Sequence, residues 1–387
     1  MALGAGDRSL GTVMHGTVIR AAAAVVEGRL RNDVEVQVRD GRITRVDCDV
    51  RGTGTHATFD GVMLPGPIDL QVNGMGGVGF DAGDPRAFDH AARAVLAGGA
   101  TSFLPTLITA PIEVLCRRAA ALARWLDAGP APDGAIPLGI HLEGPFLEVA
   151  GAHDPRAIAE PEPRAVEALI DACGGHLALM TLAPGLRGAV DAIRRLRAAG
   201  AAVAIGHAHG TDTFDAAVDA GASLVTHLFN AMSPVHHREP GVAALALDER
   251  RLTCCLICDG HHVHPSVLRI AWRVLGRART VLVTDAIGAA GMPDGDYELS
   301  GSPVTSVGGV VRDREGRLAG SSLTMSEACA RFARFVPGVD DVDLAAICST
   351  NAARALGAVD LGGIAPGMRA CFAFRRDDGS LQSVRSN

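Results

Sequence analysis

The chain contains no lysine: its 36 basic residues other than histidine are all arginine. That absence excludes a Schiff-base lysine, a P-loop lysine and a carboxylated lysine bridging two metal ions. Any fixed positive charge gripping an anion must therefore be an arginine or a protonated histidine. Although 48% of the residues are apolar, no eighteen in a row are uninterrupted, which argues against a membrane-spanning helix. The opening residues MALGAGDRSLGTVMHG lack a basic start followed by an apolar stretch, so no signal peptide is expected. A positive excess is missing as well, and the formal net charge of -7 gives no support to nucleic-acid binding. The nine cysteines are scattered rather than framed for disulfides, and a reduced, cytoplasmic protein is expected. Cys255 and Cys258 form a CxxC beside Cys254. A strand would send residues three apart to opposite faces, wrong for a shared metal, so these read as small buried hydrophobes.

What is present suits a large α/β domain. Eight strand-like runs occur: Met63–Val72, Thr101–Leu107, Leu138–Leu142, Leu177–Leu182, Val203–Gly206, Leu224–Thr226, Leu252–Cys258 and Thr280–Thr284. Helical patterns lie between them, among them Pro85–Ala97, Ile112–Asp127, Pro163–Cys173, Arg187–Ala199 and Thr211–Ala220. Gly98, Gly200 and Gly221 close three of these as C-caps prefer. Eight βα units predict a (β/α)8 TIM-like barrel, whose chemistry sits at the C-terminal strand ends. Both termini differ. Residues 17–60 read as short strands with a turn at Asp40-Gly41, and the tail 363–384 is again strand-like after Ala365-Pro366-Gly367. The expected organisation is a barrel over residues 63–358 and one small β-sandwich assembled from 1–62 and 359–387.

The strand ends carry the chemistry. In AIGHAHGTDTFDAAVDAGASLVTHLFN (Ala204–Asn230), two apolar runs end in His207 and His227 with an amphipathic helix between them. Parallel strands joined by a helix bring both imidazoles to one edge of the sheet, where they could share a metal ion. Glu143 and Asp285 close two further runs, and Asp259 falls at the same level. Such a ring is expected at the mouth of a metal-dependent hydrolase barrel.

Ten segments carry a family resemblance. They are LPGPIDLQVNGMGG, HLEGPF, GAHDP, TLAP, GHAHGT, THLFNAM, REPG, DGHHV, LVTDA and SSLTMSEA, in order between about Asp40 and Gly367. Together they resemble the N-acetylglucosamine-6-phosphate deacetylases of the amidohydrolase superfamily. The resemblance implies that Glu143, His207 and His227 are metal ligands and that Asp285 is the catalytic aspartate. It also implies that His153 and His262 contact substrate, and that Asn230, Ala231 and Arg238 handle the sugar phosphate. Arg238 would reach the neighbouring subunit's site in a homodimer. One divalent ion per subunit is implied, zinc foremost, with iron or cobalt as alternatives. Several positions depart from the family pattern. Gln71-Val72-Asn73 stands where most amidohydrolases carry HxH, and Gly185 replaces a glutamate that commonly follows TLAP. Ala208 and His209 replace a small polar pair, which places an extra imidazole near the metal.

Hydrolysing an amide near neutral pH needs a polarised carbonyl and a nucleophile better than water. An ion held by three protein ligands with an open position supplies both. Asp285 would take a proton from the attacking water and pass it to the departing nitrogen; a helix cap is its plainer role. His262 and His153 would polarise the carbonyl or hold hydroxyls and phosphate. Arg238 would pair with the phosphate, or else with Glu239 at the surface. Ser321-Ser322 with Glu327 reads as a capped helix start bordering the mouth. The expected reaction is N-acetyl-D-glucosamine 6-phosphate to glucosamine 6-phosphate and acetate. The galactosamine epimer or another acylated amino sugar is the nearest alternative; a cyclic-amide hydrolase or deaminase is another, and a catalytically inert amino-sugar-phosphate sensor lies outside enzymology.

Overall fold

The computed structural model describes residues 12–13, 17–50, 57–59 and 61–386. The barrel strands are β1 (Ile68–Val72), β2 (Ser102–Ile108), β3 (Ile140–Glu143), β4 (Leu177–Leu182), β5 (Ala202–Ile205), β6 (Leu224–Val225), β7 (Thr253–Leu256) and β8 (Thr280–Leu282). Each pairs in parallel with the next, from β1 through β8. Their near-continuous burial follows from being covered on both faces, as parallel strands require.

Closure between β8 and β1 is sparse in backbone pairing. Among the described residues the strands share one bridge, Val72 to Ala286, with Asn73 N and Gly74 N both donating to Ala286 O at 2.8 and 3.1 Å. Deeper in the seam, the buried Asp69 carboxylate accepts from Thr284 N at 3.2 Å and from Thr284 Oγ1 at 2.6 Å. A side chain thus supplies the hydrogen bonds that a backbone ladder would otherwise make.

Helices alternate with the strands: α1 (Pro85–Ala97), α2 (Ile112–Ala128), α3 (Pro163–Ala172), α4 (Ala189–Ala198), α5 (Phe214–Asp219), α6 (Val242–Asp248), α7 (Pro265–Arg279) and α8 (Met325–Phe335). Local chemistry sets their ends. Asp84 caps α1 ahead of Pro85, and Thr324 with Glu327 forms a reciprocal capping box at α8. Phe80, Phe88, Phe103 and Trp125 knit α1 and α2 to β2, with ring centroids 5.2–6.2 Å apart.

The terminal segments form a separate sheet, as expected. Its order is Thr12–Val13, Leu381–Ser386, Cys371–Arg375, Val62–Pro65, Val18–Val26, Arg29–Arg39 and Arg42–Asp47, with Ala57–Thr58 pairing Val18–Val26. Two of its hairpins turn on pairs with positive φ, Glu27-Gly28 at 50° and 70° and Asp40-Gly41 at 50° and 71°. Ile19, Val36, Ile43, Met63, Phe372 and Phe374 fill its own core.

Two sequence expectations need correction here. The run Met63–Val72 is not one strand: Val62–Pro65 joins the terminal sheet and Ile68–Val72 joins the barrel. The break falls at Gly66-Pro67, where a Cβ on Gly66 would lie 2.3 Å from Thr101 Oγ1. Periodicity does not register this division because both halves are buried apolar strands. Between β8 and α8 the chain also builds a three-stranded antiparallel sheet, Gly295–Leu299, Ser302–Val307 and Val310–Asp313, which the eight-unit pattern did not include. The cysteines behave as expected: all nine are free, and Cys254, Cys255 and Cys258 are buried. No helix among the described residues is long and apolar enough to cross a membrane.

Candidate active site

Glu143 is the last residue of β3; His207, His227 and Asp285 follow β5, β6 and β8 by two or three residues. All four are buried. His207, His227 and Asp285 adopt left-handed backbone, with φ of 50°, 28° and 50°. For residues with a Cβ this costs on the order of 1–3 kcal/mol each, a strain that clusters at functional sites.

Both imidazoles meet a single carboxylate oxygen. Glu143 Oε1 lies 3.2 Å from His207 Nε2 and 2.8 Å from His227 Nε2, and the three ligand atoms fall within 4.8 Å of one another. His207 Nδ1 contacts Val149 O at 2.7 Å, so it carries the proton and leaves Nε2 a free lone pair. Two imidazoles and a carboxylate in this arrangement fit a divalent ion of the zinc class. Burial opposes ionisation of Glu143, yet its contacts with the imidazoles of His153, His207 and His227 hold the carboxyl well below the usual range. Burial pulls His227 down, but Glu143 more than offsets it and the imidazole is raised.

The predicted contacts distribute unevenly. A cavity of about 190 Å³ at the strand ends is lined by Glu143, His207, His227 and Asp285 and also by His153, Asn230, Ala231 and His262. His153 donates to or accepts from Thr109 Oγ1 through Nδ1 at 2.8 Å and sets Nε2 3.5 Å from Glu143 Oε2. Burial lowers its pKa, which favours the neutral ring. His262 Nδ1 lies 2.7 Å from Asp259 Oδ2, while Asp259 Oδ1 accepts from the backbone of His261 and His262. Against the cost of burial, His262 holds the Asp259 carboxyl down at about 2. Asp259 therefore acts as an orienting partner for His262.

Asp285 lines the same cavity. Burial first, then the Glu143 charge, push its carboxyl up to about 6, opposed by His227, His262 and the hydrogen bond from Asn73.

Three further positions singled out in the sequence lie outside this cavity's lining. Arg238 is exposed and does not line this cavity, and among the described residues it makes no ion pair with Glu239. His209 is exposed and borders a separate recess with Ser233, His236 and Gly241, so the extra imidazole does not lie at the mouth. Gly185 has a plain steric role. A Cβ there would sit 2.2 Å from Glu148 Oε1, and Glu148 Oε2 accepts from the backbone of His209 and Gly210. The carboxylate of Glu148 fills the space above Gly185 and ties down the loop after β5.

The sequence reading missed Leu299, Leu318 and Gly320 on the cavity wall, all contributed by the inserted three-stranded sheet and its return. It also assigned no role to Thr109, whose hydroxyl fixes His153. His141, one strand position below Glu143's neighbour, is a counter-example among the histidines. Its two ring nitrogens are taken by Thr106 and Thr181, and burial lowers it to about 4, so it is a satisfied core residue.

The amidohydrolase family pattern matches residues 62–378. The chain belongs to the amidohydrolase family. Among relatives of this amidohydrolase, the N-acetylgalactosamine-6-phosphate deacetylase of Escherichia coli O157:H7 is 36% identical over 359 residues, 91% of this chain and 93% of its own. The N-acetylglucosamine-6-phosphate deacetylase of Bacillus subtilis (strain 168) is 36% identical over 356 residues, 89% of this chain and 88% of its own. In three dimensions the amidohydrolase superposes on a mutant N-acetyl-D-glucosamine-6-phosphate deacetylase from Mycobacterium smegmatis, in complex with N-acetyl-D-glucosamine-6-phosphate. The TM-score is 0.90 at 33% identity, covering 96% of this chain and 98% of that one.

Proposed function

We propose that the protein hydrolyses N-acetyl-D-glucosamine 6-phosphate to D-glucosamine 6-phosphate and acetate. The observation that carries this reading is the convergence of His207, His227 and Glu143 opposite a buried carboxylate in a cavity of the amidohydrolase fold. Relatives named for the substrate span nearly the whole chain. Glu143, His207 and His227 would hold one divalent ion, zinc foremost and iron or cobalt as alternatives. When bound, such an ion polarises the amide carbonyl and acidifies a water.

The chain's own residues do the rest. Asp285 takes a proton from the attacking water and returns it to the departing nitrogen, which leaves as the neutral amine. His262, held by Asp259, is aligned to hydrogen-bond the acetyl oxygen or a sugar hydroxyl. His153, neutral and fixed by Thr109, binds from the other side, and Asn230 with Ala231 receives the phosphate end. Arg238, exposed and absent from the lining of this cavity, completes the phosphate site of a partner subunit in a cytoplasmic homodimer. Bidentate pairing with a dianion suits arginine in a chain without lysine.

The galactosamine epimer is the second reading, supported by the equal 36% identity to the Escherichia coli relative. Acetate release from both acetylated 6-phosphates and from unphosphorylated N-acetylglucosamine tests the proposal. Strong preference for the glucosamine phosphate is expected. Preference for the galactosamine phosphate would transfer the assignment to that sugar, and release from none would overturn it.

A further inference from the structure

On the seam between β1 and β8, two carboxamides converge on one atom. Gln71 Nε2 donates to Asp285 Oδ1 at 3.0 Å, and Asn73 Nδ2 donates to the same oxygen at 2.8 Å. All three side chains are buried. No donor to Asp285 Oδ2 occurs among the described residues. Gln71 lies in β1 and Asn73 directly follows its last residue, Val72, so one short segment at the end of β1 grips the carboxylate from across the barrel seam.

A carboxylate oxygen has two lone pairs, and two N–H donors occupy both. Such an oxygen has no capacity left to take up a proton, whereas Oδ2 keeps its own. The two donors also remove the two-fold ambiguity of the carboxylate torsion, which is otherwise broad. Resting on the deacetylase reading above, we infer that Gln71 and Asn73 are positioning residues that saturate Oδ1 of Asp285 and commit Oδ2 to the proton transfer. The proton then moves from water to Oδ2 and from Oδ2 to the nitrogen whose bond to the acetyl carbon breaks.

A purely architectural role explains less. The seam is already closed by the Asp69–Thr284 bonds and by Asn73 N to Ala286 O, neither of which uses these carboxamides. Turning Nδ2 of Asn73 toward Asp285 also leaves its Oδ1 buried without a partner. An unsatisfied buried carbonyl weakens the fold, and the orientation that leaves it so is the one that serves Asp285. The Gln-x-Asn segment thereby has a function of its own beyond standing where other family members carry two histidines.

The test uses the metal-loaded enzyme and whichever acetylated amino-sugar phosphate it hydrolyses. Gln71→Met and Asn73→Leu are each compared with the parent for kcat, KM and metal content, with Asn73→Ser as a second variant should leucine prevent folding. The same changes are then placed in an Asp285→Asn background and its residual turnover measured. Each single change is expected to lower kcat about 10–100-fold, as loss of an orienting partner does, with KM and metal content retained and no further loss in the Asp285→Asn background. Unchanged kcat, a loss that tracks metal content, or a loss that multiplies in the Asp285→Asn background would overturn the assignment. An inactive parent overturns the deacetylase reading and this assignment with it; an active parent with unaffected variants overturns this assignment alone.

Discussion

Asp69 gives the sharpest quantitative prediction. Its carboxyl is buried at the seam, where burial is the largest influence, the Thr284 and Gln71 donors oppose it, and the Asp285 charge adds to it. The result is a pKa raised from 3.8 to about 7. The folded protein therefore holds this proton more tightly than the unfolded chain. The contribution is fully present below about pH 4 and is lost as pH rises through about 7. At 1.36 kcal/mol for each pH unit, the full loss is about 4 kcal/mol. Between about pH 5 and pH 8 it is on the order of 2–3 kcal/mol by the same linkage. Asp69→Asn removes the titration while keeping the shape, at a fixed offset for the changed bond to Thr284. Urea unfolding of both proteins at the two pH values, with equal metal content, should show the parent losing stability relative to the variant by that amount. Parallel pH dependence in the two proteins would refute the argument.

Asp285→Asn should cut acetate release to a small residual rate while leaving one metal per chain; metal loss measured by elemental analysis would instead make Asp285 a structural ligand. Arg238→Ala should raise KM for the phosphorylated substrate at least tenfold and leave turnover of the unphosphorylated sugar unaffected, as the proposed phosphate contact requires. An unchanged KM would return Arg238 to the solvent. Gly66→Ala places a Cβ 2.3 Å from Thr101 Oγ1 and 3.0 Å from the Cys371 carbonyl carbon. Overpacking of this kind costs about 1–3 kcal/mol, so thermal melting should shift down, and an unaltered midpoint would show that the barrel and the terminal sheet yield there.

Most of the architecture was legible in the chain because its signals are local. Eight apolar runs alternating with amphipathic segments, glycine-terminated helices and the Asp40-Gly41 hairpin each depend on a few neighbouring residues. The same logic marks strand ends, and so it singled out Glu143, His207, His227 and Asp285 before any distance was known. The fate of the run Met63–Val72 was not legible, because two adjacent buried strands have one hydrophobic signature whether or not they share a sheet. The inserted sheet at Gly295–Asp313 was missed because its short strands are half exposed and mix polar with apolar residues.

The sequence by itself determined the barrel, the terminal sheet and the ring of chemical groups at the strand ends. The tertiary structure decided what those groups do to one another. His209 sits two residues from His207 yet faces a different recess, whereas Gln71 reaches Asp285 across 214 residues of chain. Side-chain direction at a strand end depends on local backbone that left-handed φ values redirect, and convergence depends on barrel closure bringing the first and last strands together. Neither quantity is encoded in residue spacing, and both set the hydrogen bonds on which the proposed chemistry turns.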